Sequence, residues 1–239
     1  MEFEPLWPMG PVYAHEPAAF PLGTDSVLLA DFAAVSGARR ACDLGCGGGA
    51  LSVLLLARAP RLHLDGLELD PLAADACRRN LAANGWDASG IVTGDIRAHR
   101  QLLSAGAYDL VVCNPPYFAR GSGAPAAGNA RNAARSETFC TLEDVCAAAA
   151  YLCRTGGTFS VVYRAERLAD LFCLLRAAGL EPKRMRLVAH RADAAPALVL
   201  VEGKRGARPG LKVLPSLFLT GADGGPSAEY KRIYHLEEA

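Results

Sequence analysis

The sequence predicts an α/β protein built on a seven-stranded, mostly parallel, doubly wound sheet whose last strand runs antiparallel. Three observations predict it. Short, apolar, β-branched runs alternate with helix-length segments whose apolar residues recur on one face, the pattern of βα units. The first of these runs opens onto four glycines in five positions, Gly45-Cys46-Gly47-Gly48-Gly49, a sharp strand-to-helix turn. The last two runs, Arg184 to His190 and Ala197 to Glu202, have no helix between them and so pair antiparallel. At 239 residues the chain is long enough to form one such domain over 1–239, with additions.

Each element has a local reason. Met1 to Pro21 carries Trp7, Tyr13, His15 and Phe20 between prolines, too irregular for a helix and aromatic enough to pack over the domain. Thr24 is the expected N-cap of a first helix with Leu28, Phe32 and Val35 on one face and Gly37 at its end. Arg39 to Leu44 is the first strand, and Leu51 to Arg58 is the helix after the glycine turn. Leu62 to Leu69 is the second strand, after which Asp70 caps a helix that Pro71 begins and Asn84-Gly85 closes. Ile91 to Thr93 is the third strand, Arg97 to Ser104 a short helix, and Tyr108 to Cys113 the fourth strand. Phe118 to Thr138 is a Gly/Ala/Pro stretch with Arg120, Arg131 and Arg135 and no periodicity, which reads as a binding loop. Thr141 caps the next helix with Asp144 in a capping box, and Gly156-Gly157 is the expected stop after Arg154. Phe159 to Tyr163 is the fifth strand and Glu166 to Ala178 a helix closed by Gly179, leading to the antiparallel pair.

Composition excludes several function classes. The chain has 25 Lys+Arg and 25 Asp+Glu, so no global field draws it to nucleic acid or to a membrane surface. The balance conceals an asymmetry: from Lys183 onward there are 10 basic and 6 acidic residues, a basic C-terminal third suited to a polyanion. The 8 cysteines form no CxxC pair and mostly fall inside apolar patterns, so they are expected to be buried, reduced thiols and not metal ligands. With no leader and no apolar run long enough for a membrane span, the expected location is the cytoplasm. The five histidines share no spacing and read as surface or packing residues.

The candidate chemistry lies at the strand ends. Asp43, Glu68 and Asp95 close three consecutive strands, and Asn114-Pro115-Pro116-Tyr117 follows the fourth, at the sheet edge where open α/β folds keep their ligands. Two successive prolines fix φ and hold the residues before them extended, which aims the Asn114 side chain and the Pro115 carbonyl in set directions. Gly45-x-Gly47-x-x-Ala50 also satisfies a dinucleotide fingerprint, but a nicotinamide dehydrogenase has no use for an acid just before the first glycine or for NPPY.

Asp43-Leu44-Gly45-Cys46-Gly47, Glu68, Asp95 and Asn114-Pro115-Pro116-Tyr117, together spanning roughly Thr24 to Glu202, resemble the class I S-adenosylmethionine-dependent methyltransferases. The resemblance implies a Rossmann-like methyltransferase fold, with residues 1–37 as an extension and cofactor-covering helix and 118–138 as a substrate loop. It implies that the glycine turn passes the methionine part of S-adenosyl-L-methionine, that Glu68 accepts from the ribose hydroxyls and that Asp95 meets the adenine amine. The implied cofactor set is Thr24, Asp43, Gly45, Cys46, Gly47, Glu68, Leu69, Asp95, Ile96 and Asn114, with no metal. NPPY resembles the form found where the methyl acceptor is a planar nitrogen, whose lone pair is delocalised and needs geometry more than a strong base. Asn114 and Pro115 would accept its two N–H bonds while Tyr117 stacks on it, making Asn114, Pro115, Pro116 and Tyr117 the implied catalytic group and Tyr117, Arg131 and Arg135 the substrate contacts.

Phe20-Pro21-Leu22-Gly23-Thr24-Asp25, Ala134-Arg135-Ser136-Glu137 and the tail Arg232-Ile233-Tyr234-His235 narrow the resemblance to bacterial tRNA adenine-N6 methyltransferases that modify the adenosine beside the anticodon of a valine tRNA. The family often has histidine where Ser136 stands. The implied partner is tRNA or another structured RNA, with the protein acting as a monomer. Protein glutamine-N5 methyltransferases of release factors share NPPY but resemble longer chains with a helical domain before the first strand; rRNA base methylation is the other alternative.

Overall fold

The computed structural model describes residues 2–17, 19, 21–115 and 140–236. Its main sheet contains β3 (Arg40–Leu44), β4 (His63–Glu68), β5 (Ile91–Thr93), β6 (Tyr108–Cys113), β7 (Cys153–Arg164), β8 (Leu180–Ala189) and β9 (Leu198–Arg205). Their order is β5-β4-β3-β6-β7-β9-β8. β9 slots between β7 and β8 and is antiparallel to both, while the other pairings among these seven are parallel. The sheet is therefore the doubly wound one expected from the sequence, with the last long strand reversed.

Strand alternation divides the interior in two. Ala41, Leu110, Val112, Val162 and Leu200 point into one core, which holds α1 (Thr24–Phe32), α2 (Ala50–Arg58) and α3 (Pro71–Ala83). Their neighbours Cys42, Val111, Cys113, Val161, Val199 and Val201 point into the other, under α5 (Leu142–Leu152) and α6 (Leu168–Ala177). Both faces of the central strands are covered, which is why these strands read as unbroken apolar runs. Six of the eight cysteines are buried, Cys140 is half-buried and Cys173 is exposed.

Several local expectations are corrected. Thr24 is not the N-cap of α1 but its first helical residue; Gly23 occupies the cap and makes no side-chain bond, and the helix ends at Phe32, short of Gly37. Gly156-Gly157 does not stop a helix. The helix already ends at Leu152 and β7 begins at Cys153, so the glycines form an irregularity inside β7, where the register to β6 shifts between Tyr108 and Leu110. Only glycine fits at 157, since a Cβ there would lie 2.9 Å from the carbonyl oxygens of Arg154 and Tyr108. The segment after β5 is a 3₁₀ turn, Ile96–Ala98, followed by the single-turn helix α4 (His99–Leu102).

The irregular N-terminal segment contains a small hairpin, β1 (Glu4–Pro5) with β2 (Val12–Tyr13). It is held to α3 by two side-chain amides that imitate a neighbouring strand. Asn84 Oδ1 accepts from Val12 N and its Nδ2 donates to Val12 O, each at 2.8 Å, and Asn80 does the same with Ala14 at 2.8 and 3.0 Å. Two-residue strands β10 (Lys212–Val213) and β11 (Leu217–Phe218) extend the sheet beyond β8; they are too short to show a period in the sequence. The last helix among the described residues is α7 (Ala228–Ile233), capped by Ser227.

Candidate active site

β3 pairs with β4 on one side and β6 on the other, so the winding reverses between β3 and β6, and the carboxyl ends of such strands are where open α/β sheets take their ligands. Register sets Asp43 level with Gly66 and Val112, and Glu68 level with Thr93. Asp43, Glu68, Asp95 and Asn114 thus lie along one edge.

The glycine turn is tied to β4 by Gly45 N and Cys46 N, which donate to Leu67 O at 2.8 and 3.2 Å. It has an open half and a packed half. Gly45 (φ +73°) and Gly47 (φ +53°) are left-handed, and a Cβ at either would meet no atom within 4 Å. A Cβ at Gly48 would lie 2.9 Å from the Tyr13 hydroxyl, and one at Gly49 2.8 Å from Cys77 Sγ. Cys46 turns its side chain inward toward Gly66, and its thiol, hydrogen-bonded to Cys77 and buried, is held well above the usual range.

The acids are held differently from one another. Glu68 Oε2 accepts from Gly47 N at 2.8 Å and its Oε1 from Asp70 N at 2.9 Å, bridging the turn and the start of α3. Burial raises its pKa, against the pull of those amides. Asp43 is 1% exposed and accepts a 2.7 Å hydrogen bond from Ser52 Oγ of α2. Burial pushes its carboxyl up to about 7, with the Ser52 bond opposing and the Glu68 charge adding. Asp95 caps the 3₁₀ turn, accepting from Arg97 N at 2.8 Å, and is also gripped by the Arg97 guanidinium, which holds it below the usual carboxylate range. Leu69 is exposed and Ile96 half-buried beside the two outer acids. The Thr24 hydroxyl is hydrogen-bonded to Tyr234.

At the end of β6, Asn114 Nδ2 donates to Ser26 Oγ of α1 at 3.0 Å, and Pro115 is buried. Pro116, Tyr117, Arg131, Arg135 and the 118–138 loop lie outside the described residues. Sequence reasoning missed Ser26, Ser52 and Tyr13. Ser52 is a single hydroxyl inside an apolar helical run, a pattern that calls for a buried partner, whereas Ser26 follows Thr24 and Asp25 in the first turn of α1 and gave no such signal. Tyr13 packs its ring behind the glycine turn, and its hydroxyl has no partner among the described residues.

A family model for the methyltransferase small domain matches residues 18–171. The chain belongs to that family. Relatives named tRNA1(Val) (adenine(37)-N6)-methyltransferase include those of Cronobacter sakazakii, 36% identical over 79% of this chain and 76% of that protein, and Aeromonas hydrophila, 34% identical over 67% and 66%. The chain thus spans about two thirds to three quarters of the length of these relatives. Among solved structures, a predicted O-methyltransferase from Agrobacterium tumefaciens shares the fold, with a TM-score of 0.69 at 21% identity over 89% of this chain and 96% of that one. TrmN from Thermus thermophilus has a TM-score of 0.54 at 16% identity, covering 75% of this chain and 48% of that one. The methyltransferase reading of the sequence is borne out, as is the family to which its motifs pointed. Among the described residues there is no helix long and apolar enough to cross a membrane.

Proposed function

We propose that this methyltransferase small domain protein transfers a methyl group from S-adenosyl-L-methionine to the N6 amine of an adenine in tRNA, at position 37, which its relatives' names give. The observation that carries the reading is the placement of Asn114 at the winding reversal, one strand away from a glycine turn with an open face. That face fits the cofactor: Gly45 and Gly47 leave room for a ligand against the main chain, and Glu68 stands beside them as an acceptor. A carboxylate has about four acceptor positions, so Glu68 keeps capacity for ribose hydroxyls beyond its bonds to Gly47 and Asp70. Bound there, the cofactor supplies an electrophilic methyl on a sulfonium.

The chain's own residues do the rest. Gly45 and Gly47 admit the cofactor, Leu69 and Ile96 offer apolar surfaces for its base, and Asp95 accepts from its amine if Arg97 yields one of its contacts. Thr24, Asp43 and Cys46 shape the surrounding walls, Asp43 and Cys46 from behind. Asn114 and Pro115 accept the two N–H bonds of the target amine and turn its lone pair toward the methyl group, while Pro116 keeps the turn stiff and Tyr117 stacks on the base. The target adenine is unstacked from the RNA to reach them. Arg131 and Arg135 hold phosphates around it, and the work is done in the cytoplasm, where tRNA is found.

The test is nucleoside mass spectrometry of bulk tRNA from cells with and without the gene, paired with a labelled-methyl assay offering tRNA and a release-factor peptide. N6-methyladenosine lost from tRNA on deletion and label on tRNA alone are expected; label on the peptide alone overturns the substrate assignment. Asn114→Ala abolishes turnover and leaves cofactor affinity nearly intact.

A further inference from the structure

Two asparagines one turn apart at the end of α3 hold the N-terminal segment 12–16 as a strap, and one of them also reaches the glycine turn. We infer that Asn80 is a positioning residue that joins this strap to the main chain of the turn, so that binding the cofactor and closing the strap favour one another. The inference rests on the reading of the glycine turn as the cofactor's seat and is independent of which nitrogen is methylated.

The bonds of Asn80 leave no freedom in how its amide is turned. A main-chain N–H only donates and a carbonyl only accepts, so the amide oxygen faces Ala14 N, from which it accepts at 2.8 Å. The nitrogen faces Ala14 O and Gly48 O, to which it donates at 3.0 and 2.8 Å, and both of its hydrogens are thereby used. Asn80 is fully buried, where a lost bond is not replaced by solvent. Asn84 repeats the pattern with Val12 and donates to Asn80 O at 2.8 Å. Four residues of helix rise about 6 Å and two residues of strand about 6.7 Å, so side chains at 80 and 84 match main-chain groups at 14 and 12.

On the turn, Asn80 holds one end of a peptide unit whose other end is also held: Gly48 O accepts from Asn80, while Gly49 N donates to Cys46 O at 2.8 Å. Gly47 N is committed to Glu68, and the amides of Gly45 and Cys46 to Leu67. The plane of that peptide unit fixes how the chain passes from Gly47 into α2, and so how the open face at Gly45 and Gly47 is presented. The N-terminal segment lies against the same unit, since a Cβ at Gly48 would stand 2.9 Å from the Tyr13 hydroxyl and 3.1 Å from the Ala19 Cβ. The hairpin that carries the strap has strands of only two residues, so it opens locally far more readily than the domain unfolds. Through Asn80 such an opening releases Gly48, and a ligand that needs the turn in place opposes it.

The experiment titrates the full chain with S-adenosyl-L-homocysteine by calorimetry and follows amide hydrogen exchange residue by residue by NMR, in the wild type, Asn80→Ala and Asn84→Ala. In the wild type, saturating ligand is expected to slow exchange at Val12 and Ala14 about tenfold or more. It is expected to leave Leu214, whose amide bonds Met185 O at the far end of the sheet, unchanged. Asn80→Ala is expected to raise the ligand Kd about tenfold and to cut the slowing at Val12 to less than about twofold, although Asn84 still holds Val12. Asn84→Ala touches the strap and not the turn, so it is expected to speed exchange at Val12 and to raise the Kd less than about threefold. If Asn80→Ala does not fold, Asn80→Ser, whose hydroxyl is too short to span both carbonyls, takes its place with the same expectation. A purely structural Asn80 would lower the melting temperature of the variant and leave the ligand-dependent slowing at Val12 in place. That result overturns the role of Asn80, as does a wild type whose Val12 and Ala14 exchange equally fast with and without ligand. A wild type that binds no S-adenosyl-L-homocysteine removes the cofactor reading, and the role of Asn80 with it.

Discussion

The two edges of one sheet treat their carboxylates in opposite ways. At the amino edge, Asp65 of β4 accepts from the Tyr108 hydroxyl at 2.7 Å, pairs with Arg40 at 3.1 Å and lies 3.1 Å from His63 Nε2. On β6, Asp109 is met by Arg154 at 2.6 Å and by the amides of Arg39 and Arg40 at 2.8 and 3.0 Å. Partial burial works against its ionisation, yet those bonds hold Asp109 down at about 2. At the carboxyl edge Asp43 and Glu68 are bound by a hydroxyl and by main-chain amides, and burial raises both. The amino edge is closed by salt bridges and serves the fold. Among the described residues the carboxyl edge gives these two acids no cationic side chain, and an acid held in place without one is suited to a ligand's donors. Asp95 is the exception, since Arg97 occupies it.

The largest expected effect comes from breaking the closed edge. Asp65→Ala leaves the buried Tyr108 hydroxyl without its partner and costs about 3 kcal/mol, a fall in Tm on the order of 10 °C, with cofactor affinity unchanged. Loss of cofactor affinity without loss of Tm would erase the contrast between the edges. Next is Glu68→Ala, which weakens cofactor binding by about 1 to 3 kcal/mol in calorimetry while Tm moves little.

A smaller effect separates the edges by pH. Asp43 binds its proton more tightly folded than unfolded, so its contribution to stability is present at acid pH and declines as pH rises from about 4 toward about 7. Asp43→Asn, whose oxygen still accepts from Ser52, is expected to flatten that decline in melts taken across the interval. Asp109 has the opposite sign: its contribution is present above about pH 4 and is lost as pH falls toward about 2. Asp109→Asn therefore removes on the order of 1 kcal/mol at neutral pH and little near pH 2, readable as a shift in the acid-unfolding midpoint.

Much of this molecule could be read locally. Asp70 caps α3 by accepting from Leu72 N and Ala73 N with Pro71 at the first helical position, and Thr141 and Asp144 form the expected capping box, because caps are made by residues a few positions apart. The central strands β3, β6 and β7 were visible because burial on both faces imposes apolar runs. Gly156-Gly157 misled because glycine serves a helix stop and a bulge equally well, and only pairing with Tyr108 and Leu110 decides between them. Of the site, the acids and Asn114 were legible from their places at strand ends.

The sequence by itself determined the alternation of elements, the glycine turn and the chemical types gathered at one edge, because those depend on composition and short spacings. Tertiary structure alone decided how those groups are held. Which acids face salt bridges and which face only amides and hydroxyls, which glycines are open, and that a serine in α1 grips the amide of Asn114 all follow from contacts between residues tens of positions apart. Such contacts form only once the two helical layers close on the sheet, and no local pattern encodes them.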